Sequence, residues 1–487
     1  MNTSIPNDLR FGDSCNEDDC DSFKSALSTP LDVSNSFRSY SSTVPIESIS
    51  FHKTEDMNES SIEKHDDSID YESDESSHGI QLKCAPKVIS SQKPMSYFHK
   101  ESETVNSLAF NQDKDCIAFA TSLGYQIQSL DYNTNEQKYL VHRVEIDGGI
   151  LLVRMLHRTS LIAIVQTKTP RKLSLLHSKQ GKVIKELPFT SAIRRMEMNK
   201  ECLVVLTADA MLHVFVYRNG SIDFVKNINI LNENESARMI TAEGSATSCA
   251  FFDLSTHVVR GNSCLVTKSC QSIGLVSVYS ISCKEDEPPQ MNEILSFQAH
   301  NHSLSRIAIG LSDKIPIEGA LIATCSLQGT IIRVFHLLTG QKLFELHRGS
   351  SSCTIYSLTF NQDNSSLVTY SSKGTVHIFS LSEGNKVDVD MSNRDTMVSN
   401  VLNRVLSKQK TDVQNVVKSY AKIRVKGEKP LLSSILSIHR EHENETLSIC
   451  MPSGKFFQYA VESRGTYKPV LATNLLLQKN TSSMSRK

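Results

Sequence analysis

A group of polar side chains between residues 347 and 377 has the chemistry needed to bind a phosphorylated ligand. Arg348 offers a planar fork of N–H donors, which matches the geometry of a phosphate group. Hydroxyl, ammonium and imidazole donors follow on the next predicted hairpin, at Ser371, Ser372, Lys373, Thr375 and His377. Thr375 and His377 are two residues apart, so on a strand they face the same side. The sequence predicts an anion pocket here, and the alternative is a set of ordinary polar residues at a sheet edge.

No pattern of catalytic residues accompanies this group. The chain has no glycine-rich phosphate loop, no metal-ligand spacing and no nucleophile elbow. Its 16 histidines are dispersed, and its 12 cysteines include no C-x-x-C pair. Nucleic acid is not an expected partner either, because the basic residues are not interleaved with stacking aromatics, which make up only 7% of the chain. The sequence therefore predicts a binding protein without cofactor or metal.

Seven pairs of apolar strands, each joined by a tight turn, can position these donors. In order they are Cys116–Ser122 with Gly124–Leu130, Leu161–Thr167 with Arg171–Ser178, Cys202–Ala208 with Ala210–Tyr217, Cys264–Cys270 with Gly274–Ile281, Leu321–Leu327 with Gly329–Leu337, Leu367–Lys373 with Gly374–Leu381, and Leu447–Ser453 with Gly454–Ala460. The shorter intervals fit the 40–45 residues of a propeller blade. We predict an all-β, seven-bladed, WD40-like β-propeller, against the alternative of two β-sandwiches. The chain has no tryptophan, so the usual Trp-Asp signature is absent.

Composition divides the chain into a propeller and two tails. Residues 1–78 hold 18 acidic against five basic residues, whereas the remainder holds 35 acidic against 47 basic. A serine-rich acidic segment with few apolar residues cannot form a core, so residues 1–98 are predicted to be disordered. The propeller is expected over residues 102–465, followed by a disordered tail over 466–487. The absence of a signal peptide or a spanning apolar segment leads us to expect a cytosolic protein.

Four segments carry a resemblance to a known family. Residues 321–381 read LIATCSLQGTIIRVFHLLTGQKLFELHRGSSSCTIYSLTFNQDNSSLVTYSSKGTVHIFSL, and the segments Ser107–Leu130, Arg154–Lys182 and Ser419–Val425 agree with it. This pattern resembles the PROPPINs, the phosphoinositide-binding autophagy propellers called WIPI proteins in animals. The resemblance covers about residues 102–465. It implies binding of phosphatidylinositol 3-phosphate or the 3,5-bisphosphate, at phagophore assembly, endosomal or vacuolar membranes.

The family's Phe-Arg-Arg-Gly motif, whose two arginines point into two head-group pockets, is altered here to Leu346-His347-Arg348-Gly349. The resemblance implies a second site formed by Arg348 and the hairpin residues 371–377 described above. It implies a first site from His300, Ser326, Thr330 and His347. A histidine with an ordinary pKa of about 6.5 is mostly neutral at cytosolic pH and lacks the charged fork of arginine. We expect a weakened first site that strengthens as the pH falls, and the alternative is that it no longer binds.

An insertion over residues 382–418 is expected between the third and fourth strands of blade six. One apolar stripe recurs there at helical spacing, formed by Met397, Val398, Val401, Leu402, Val405 and Leu406. Basic residues flank this stripe, so such a helix can lie among lipid head groups. The resemblance implies that the loop inserts into the bilayer. The alternative is a helix that packs on the propeller wall, which would be preferred if the resemblance were set aside.

Protein partners are expected as well. Arg194, Arg195 and Lys200 form a basic cluster that, by the resemblance, would dock an acidic protein of the autophagy conjugation machinery. The alternative for these three residues is simple solvation. We expect a monomer that recruits autophagy proteins to phosphoinositide membranes. A propeller scaffold that has lost lipid binding is the alternative function.

Overall fold

The structure is a computed structural model of the chain. It describes Ser25 and residues 103–130, 140–218, 220–232, 251–258, 261–282, 287–381, 416–425, 435–441, 444–461 and 467–476. The predicted tail over residues 1–98 therefore lies, apart from Ser25, outside the described residues. Among the described residues, no helix is both long enough and apolar enough to cross a membrane.

Twenty-nine strands form seven sheets within the described residues, and neighbouring strands are antiparallel except for one short addition. The first three sheets contain β1 (Val105–Phe110), β2 (Cys116–Thr121), β3 (Gly124–Ser129), β4 (Leu140–Glu145); β5 (Ile150–Met155), β6 (Leu161–Gln166), β7 (Lys172–His177), β8 (Lys182–Pro188); and β9 (Ile193–Met198), β10 (Cys202–Thr207), β11 (Met211–Arg218), β12 (Ser221–Asn229). Sheet four contains β13 (Phe252–Leu254), β14 (Asn262–Lys268), β15 (Leu275–Ser282) and β16 (Gln290–Gln298).

The remaining three sheets contain the strands around the predicted pocket. Sheet five contains β17 (Leu304–Gly310), β18 (Leu321–Ser326), β19 (Ile331–His336), β20 (Lys342–His347) and the added β24 (Val416–Lys418). Sheet six contains β21 (Ile355–Phe360), β22 (Ser366–Ser371), β23 (Thr375–Ser380) and β25 (Ala421–Arg424). Sheet seven contains β26 (Ile435–Glu441), β27 (Asn444–Cys450), β28 (Lys455–Val461) and β29 (Tyr467–Asn474). The seven predicted strand pairs are the second and third strands of these sheets.

The second strand of a sheet is buried along its whole length where both faces are covered by neighbouring sheets. In β10, every residue from Cys202 to Thr207 is buried, so this strand has a continuous apolar run instead of an alternating one. The fourth strand, β12, lies at the outer edge, and most of its side chains are half-buried or exposed. The same difference explains why the inner pairs are visible in the sequence and the outer strands are not.

Seven apolar clusters join each sheet to the next one along the chain, and the last cluster closes the ring. In that cluster Leu108 and Phe119 of sheet one pack with Phe456 and Leu475 of sheet seven. Gln128 Nε2 also donates a hydrogen bond to the Leu475 carbonyl over 2.6 Å. The described strands thus form a seven-bladed β-propeller, which confirms the predicted fold class.

Two strands differ from the predicted boundaries. Sheet seven takes its outer strand from Tyr467–Asn474, beyond the predicted end at residue 465, because β28 needs a partner on its outer side. The insertion between β23 and β25 of sheet six ends in β24, which pairs with β20 of sheet five in parallel, so residues 416–418 belong to the propeller wall. Both strands are short or exposed at an edge, and neither has a continuous apolar run.

Gly329→Ala is expected to destabilise the fold more than Gly181→Ala. Both glycines have positive φ, at 62° and 65°, so each alanine costs about 1–2 kcal/mol in the left-handed region. A Cβ at residue 329 would also stand 2.1 Å from the carbonyl oxygen of Cys353, whereas at residue 181 nothing lies within 4 Å. Urea unfolding of the two variants measures the difference, and equal losses of unfolding free energy would contradict it.

Candidate functional site

Arg348 lies directly after β20, at the junction of sheets five and six. Only 6% of the residue is exposed. Its Nε donates to the carbonyl of Gly329 over 3.0 Å, and one terminal nitrogen donates to the carbonyl of Ser351. Among the described residues no carboxylate pairs with this guanidinium. A buried cation held only by neutral carbonyls is electrostatically unsatisfied, and its remaining N–H groups can bind an anion.

His377 and Ser371 are the buried donors beside Arg348. The His377 ring is 6% exposed, and its Nδ1 lies 3.2 Å from the hydroxyl of Ser419. Burial, with the nearby cations Lys422 and Arg348, lowers the pKa of His377 to about 4, so the ring is neutral at cytosolic pH. The Ser371 hydroxyl is fully buried and faces the thiol of Cys353, which is a weak hydrogen-bonding group. The pair therefore offers neutral donors next to one arginine.

The other predicted members of this site have different surroundings. Ser372 Oγ accepts the backbone N–H of Thr354 over 3.2 Å, which fixes the hairpin turn to the preceding linker. Lys373 is exposed at the tip of the same turn, and Thr375 is half-buried at the start of β23. Ser372 thus holds the turn in place, whereas Lys373 adds positive charge at the rim.

The predicted first site spans two levels of sheet five, and Arg333 connects them, because its Nη1 lies 3.5 Å from Nδ1 of His300 in the cross-strand row of Thr324 and Glu345. Thr330 and His347 lie side by side, because the carbonyl of Thr330 accepts the N–H of Arg348 at the end of β20. Ser326 is buried at the start of the same hairpin turn. His300 lies at the linker from sheet four, where its Nε2 is 3.0 Å from Thr324 Oγ1. Burial and the cation Arg333 lower the pKa of His300 to about 4.

Three charged residues near the first site were not predicted from the sequence. Arg333 Nε donates to Glu345 over 3.1 Å, and Glu345 Oε1 also lies 3.5 Å from Nε2 of the exposed His347. Lys418 is paired with His347 across the parallel strands β20 and β24, and it is exposed. Lys418 therefore lies beside the position where the family motif has its first arginine. This lysine comes from the far end of the insertion, so no local pattern in the sequence could indicate it.

The apolar stripe of the insertion lies outside the described residues, as does the whole of 382–415. The end of the insertion is described, and it fills the outer junction between sheets five and six. Val417 packs against the cluster that joins the two sheets, and Ser419 contacts His377. After the predicted membrane loop, the described chain therefore resumes beside both predicted pockets.

The predicted basic cluster on β9 is partly used inside the propeller. Arg195 Nη2 lies 2.8 Å from Glu197 Oε1, and its guanidinium stacks over the ring of Phe252 in sheet four at 5.4 Å. Arg194 is half-buried, and Lys200 is exposed in the following turn. Arg195 is a structural contact between sheets, so the predicted three-residue docking cluster is reduced to Arg194 and Lys200.

Acidification from pH 6.5 to pH 5 is expected to lower the unfolding free energy through His300 and His377. The folded protein keeps both rings neutral until about pH 4, whereas the unfolded chain protonates them near the ordinary pKa of 6.5. Their stabilising effect is full above pH 6.5 and is lost as the pH falls, by about 2 kcal/mol per ring at pH 5. Urea unfolding of His377→Gln should show a shallower pH slope. An equal slope in the wild type and in His377→Gln would contradict the prediction.

Comparison with known proteins gives a family match over the whole propeller. The family model described as PROPPIN matches residues 104–472. Autophagy-related protein 18 of Scheffersomyces stipitis is 30% identical over 308 residues, which are 59% of this chain and 52% of that protein. Autophagy-related protein 21 of Pichia angusta is 32% identical over 284 residues, or 57% of this chain and 66% of that protein. The chain thus spans between half and two thirds of these curated relatives' length.

Solved structures agree on the fold. Hsv2 of Kluyveromyces lactis with its complete loop 6CD superposes with a TM-score of 0.55 at 19% identity, covering 77% of this chain and 100% of that one. KlAtg21, solved in a complex with the coiled-coil of AgAtg16, gives a TM-score of 0.53 at 23% identity, covering 76% of this chain and 99% of that one. At such identities these structures support the propeller architecture alone.

Proposed function

The chain belongs to the PROPPIN family, and from this premise we propose that it binds phosphatidylinositol 3-phosphate or the 3,5-bisphosphate on membranes and recruits autophagy proteins there. PROPPINs are non-enzymatic phosphoinositide effectors, so we assign no catalytic residue. The observation that carries the proposal is the guanidinium of Arg348, which is buried without a carboxylate partner among the described residues beside the donors of Ser371 and His377. The protein would act in the cytoplasm as a peripheral protein of phagophore, endosomal or vacuolar membranes.

Each donor has a separate role in this second site. Arg348 contributes the charged N–H groups that the carbonyls of Gly329 and Ser351 leave free. His377 is neutral and donates a single N–H, and Ser371 donates its hydroxyl to the same ligand. Lys373 at the rim and Lys422 opposite His377 supply further positive charge around the phosphate. Both candidate lipids carry a 3-phosphate, and we assign that group to Arg348.

Calorimetric titration with the soluble head group inositol 1,3-bisphosphate tests this assignment without a membrane. We expect one dominant site on the wild-type protein. Ser371→Ala should weaken it by about tenfold, the cost of one hydrogen bond to a charged group, whereas Ser326→Ala should leave it unchanged. No measurable binding to the folded wild-type protein, or equal losses in both variants, would contradict the assignment.

The first site is proposed to bind more weakly and to depend on pH. A protonated His347 would add a cation beside Lys418 at the position where the family motif has one arginine, with the Glu345 carboxylate 3.5 Å from the ring. Vesicle affinity should therefore be higher at pH 6.0 than at pH 7.5 when Arg348 is intact, and His347→Gln should remove that difference. An affinity that is equal at both pH values in the wild-type protein would contradict a residual first site.

The proposed protein partner is a coiled-coil of the autophagy machinery. The support is the structure of KlAtg21 in a complex with the coiled-coil of AgAtg16, whose propeller has the same architecture as this chain. Arg194 and Lys200 would face an acidic stretch of such a helix. This partner also defines the alternative function, a scaffold that binds proteins without lipid, which is favoured if wild-type protein ignores all phosphoinositide vesicles.

A further inference from the structure

Three side chains from three different sheets meet at one end of the propeller. Asp113 lies in the turn between β1 and β2, His157 in the turn between β5 and β6, and His257 in the turn between β13 and β14. One ligand atom from each lies within 4.8 Å of the other two. These turns join first to second strands, whereas the turn at Ser372 and Lys373 joins second to third. The cluster and the Arg348 site are therefore at opposite ends of the strands.

Asp113 is the centre of this cluster. Its Oδ2 lies 2.8 Å from Nδ1 of His157, and its Oδ1 lies 3.9 Å from Nε2 of His257. The other nitrogen of His257, Nδ1, lies 2.9 Å from the hydroxyl of Thr256. Each oxygen of the carboxylate thus faces one imidazole, and the His257 ring is oriented by a second-layer hydroxyl, as in many metal sites.

His157 has a buried nitrogen that the protein leaves unpaired. The residue is 8% exposed, and its Nε2 has no hydrogen-bond partner among the described residues. Asp113 faces Nδ1, and the lone pairs of the two ring nitrogens point away from each other, so an ion that Asp113 also binds would take Nδ1 of His157 and leave the ring proton on Nε2. The described residues place no donor or acceptor at Nε2, so none of them opposes the tautomer that frees the Nδ1 lone pair for a cation.

The position of His157 is fixed by contacts from sheet one. Its φ is 44°, an unusual value for a residue with a side chain. Gln112 Oε1 accepts the His157 N–H over 2.6 Å, and Asn111 Nδ2 donates to the His157 carbonyl over 3.3 Å. Gln112 Nε2 also donates to the carbonyl of Met198 in sheet three over 2.7 Å. The turn that presents the imidazole is therefore held by three sheets.

The charge around the cluster favours a cation. Lys200 and Asp313 are the other charged groups that act on His257, and their charges offset each other. The carboxylate of Asp113 supplies a negative charge at the centre of the cluster. Two imidazoles and one carboxylate are ligands that suit zinc and other divalent transition metals, and not calcium or magnesium.

We propose that Asp113, His157 and His257 form a binding site for a divalent transition-metal ion, with Zn²⁺ as the natural probe. Ligand atoms around tetrahedral zinc are about 3.3 Å apart, so the three side chains need only small rotations to close on an ion. A bound ion would join sheets one, two and four at the end of the propeller away from the Arg348 site. No metal-ligand spacing is visible in the sequence, because the ligands come from turns that are distant in the chain.

Competition between the metal-stripped full chain and a chromogenic zinc indicator measures this site. We expect the wild-type protein to bind one Zn²⁺. His157→Ala and His257→Ala should each bind it at least about tenfold more weakly than the wild type. His302→Ala removes an exposed histidine elsewhere and should bind like the wild type. Zinc should also raise the thermal midpoint of the wild type and of His302→Ala, and not that of the two ligand variants.

The proposal is overturned if wild-type protein binds no zinc, or if both ligand variants bind it as tightly as the wild type. In either case Asp113 and His157 form a simple hydrogen-bonded pair. If His157→Ala fails to fold, His257→Ala decides the question, because that ring is more exposed and makes fewer structural contacts. Lipid binding is measured at the other end of the strands, so the two proposals succeed or fail separately.

Discussion

Arg348→Ala is expected to reduce affinity for vesicles containing phosphatidylinositol 3-phosphate by about 100-fold. The variant loses at least two charge-assisted hydrogen bonds to the 3-phosphate, each of which contributes about 1.5–3 kcal/mol. Arg348 is the buried one of the two cations that act on His377, the other being the exposed cross-strand Lys422. The measurement is a vesicle titration at fixed salt, because exposed lysines add an ionic-strength-dependent attraction.

Arg348→Lys is the matched control for this experiment. It keeps the charge and removes the planar fork, so it should lose about tenfold. Thermal unfolding must accompany both variants, because Arg348 also holds the carbonyls of Gly329 and Ser351. Folded Arg348→Ala protein with wild-type affinity would contradict the assignment of the second site.

Val401→Asp combined with Leu402→Asp is expected to reduce vesicle affinity by a similar factor. Both positions belong to the apolar stripe predicted from the sequence of the insertion. Burying the two side chains among lipid tails contributes about 3 kcal/mol or more, and each aspartate reverses that contribution and repels anionic lipid. The measurement is vesicle flotation, with soluble head-group titration in parallel.

Asn400→Asp combined with Asn403→Asp provides the control on the opposite side of the same predicted helix. It adds the same two charges, so a purely electrostatic effect would weaken binding equally in both double variants. We expect the stripe variant to lose flotation while its titration with inositol 1,3-bisphosphate is unchanged. Equal flotation of the stripe variant and the wild type would contradict insertion of the loop.

The fold could be predicted from the sequence where the evidence was local. Strands such as Cys202–Thr207 are buried on both sides, and the hairpin turn at Gly329 requires a positive φ, so apolar runs and glycine turns indicate the inner half of each sheet. The outer strand β29 was missed because its exposed side chains follow no such pattern. Its place is set by the unpaired edge of β28, which is a property of the assembled sheet.

The site shows the same limit. Arg348 and the hairpin at Ser371 are close in sequence and were predicted, whereas Lys418 reaches His347 only through the parallel pairing of β24 with β20. Arg195 was predicted to face a partner, but the side chain packs on Phe252 of the next sheet. Contacts between sheets depend on how neighbouring sheets pack in the propeller, and residue type alone does not indicate them.

The most direct test of lipid recognition is flotation of the wild-type chain with vesicles of lecithin alone, or lecithin with phosphatidylinositol 3-phosphate or the 3,5-bisphosphate. We expect flotation only with the phosphoinositides, because one buried arginine with neutral donors and an apolar loop supplies two anchoring contacts. Equal flotation with lecithin alone, or none with any vesicle, would contradict phosphoinositide recognition and favour the protein scaffold.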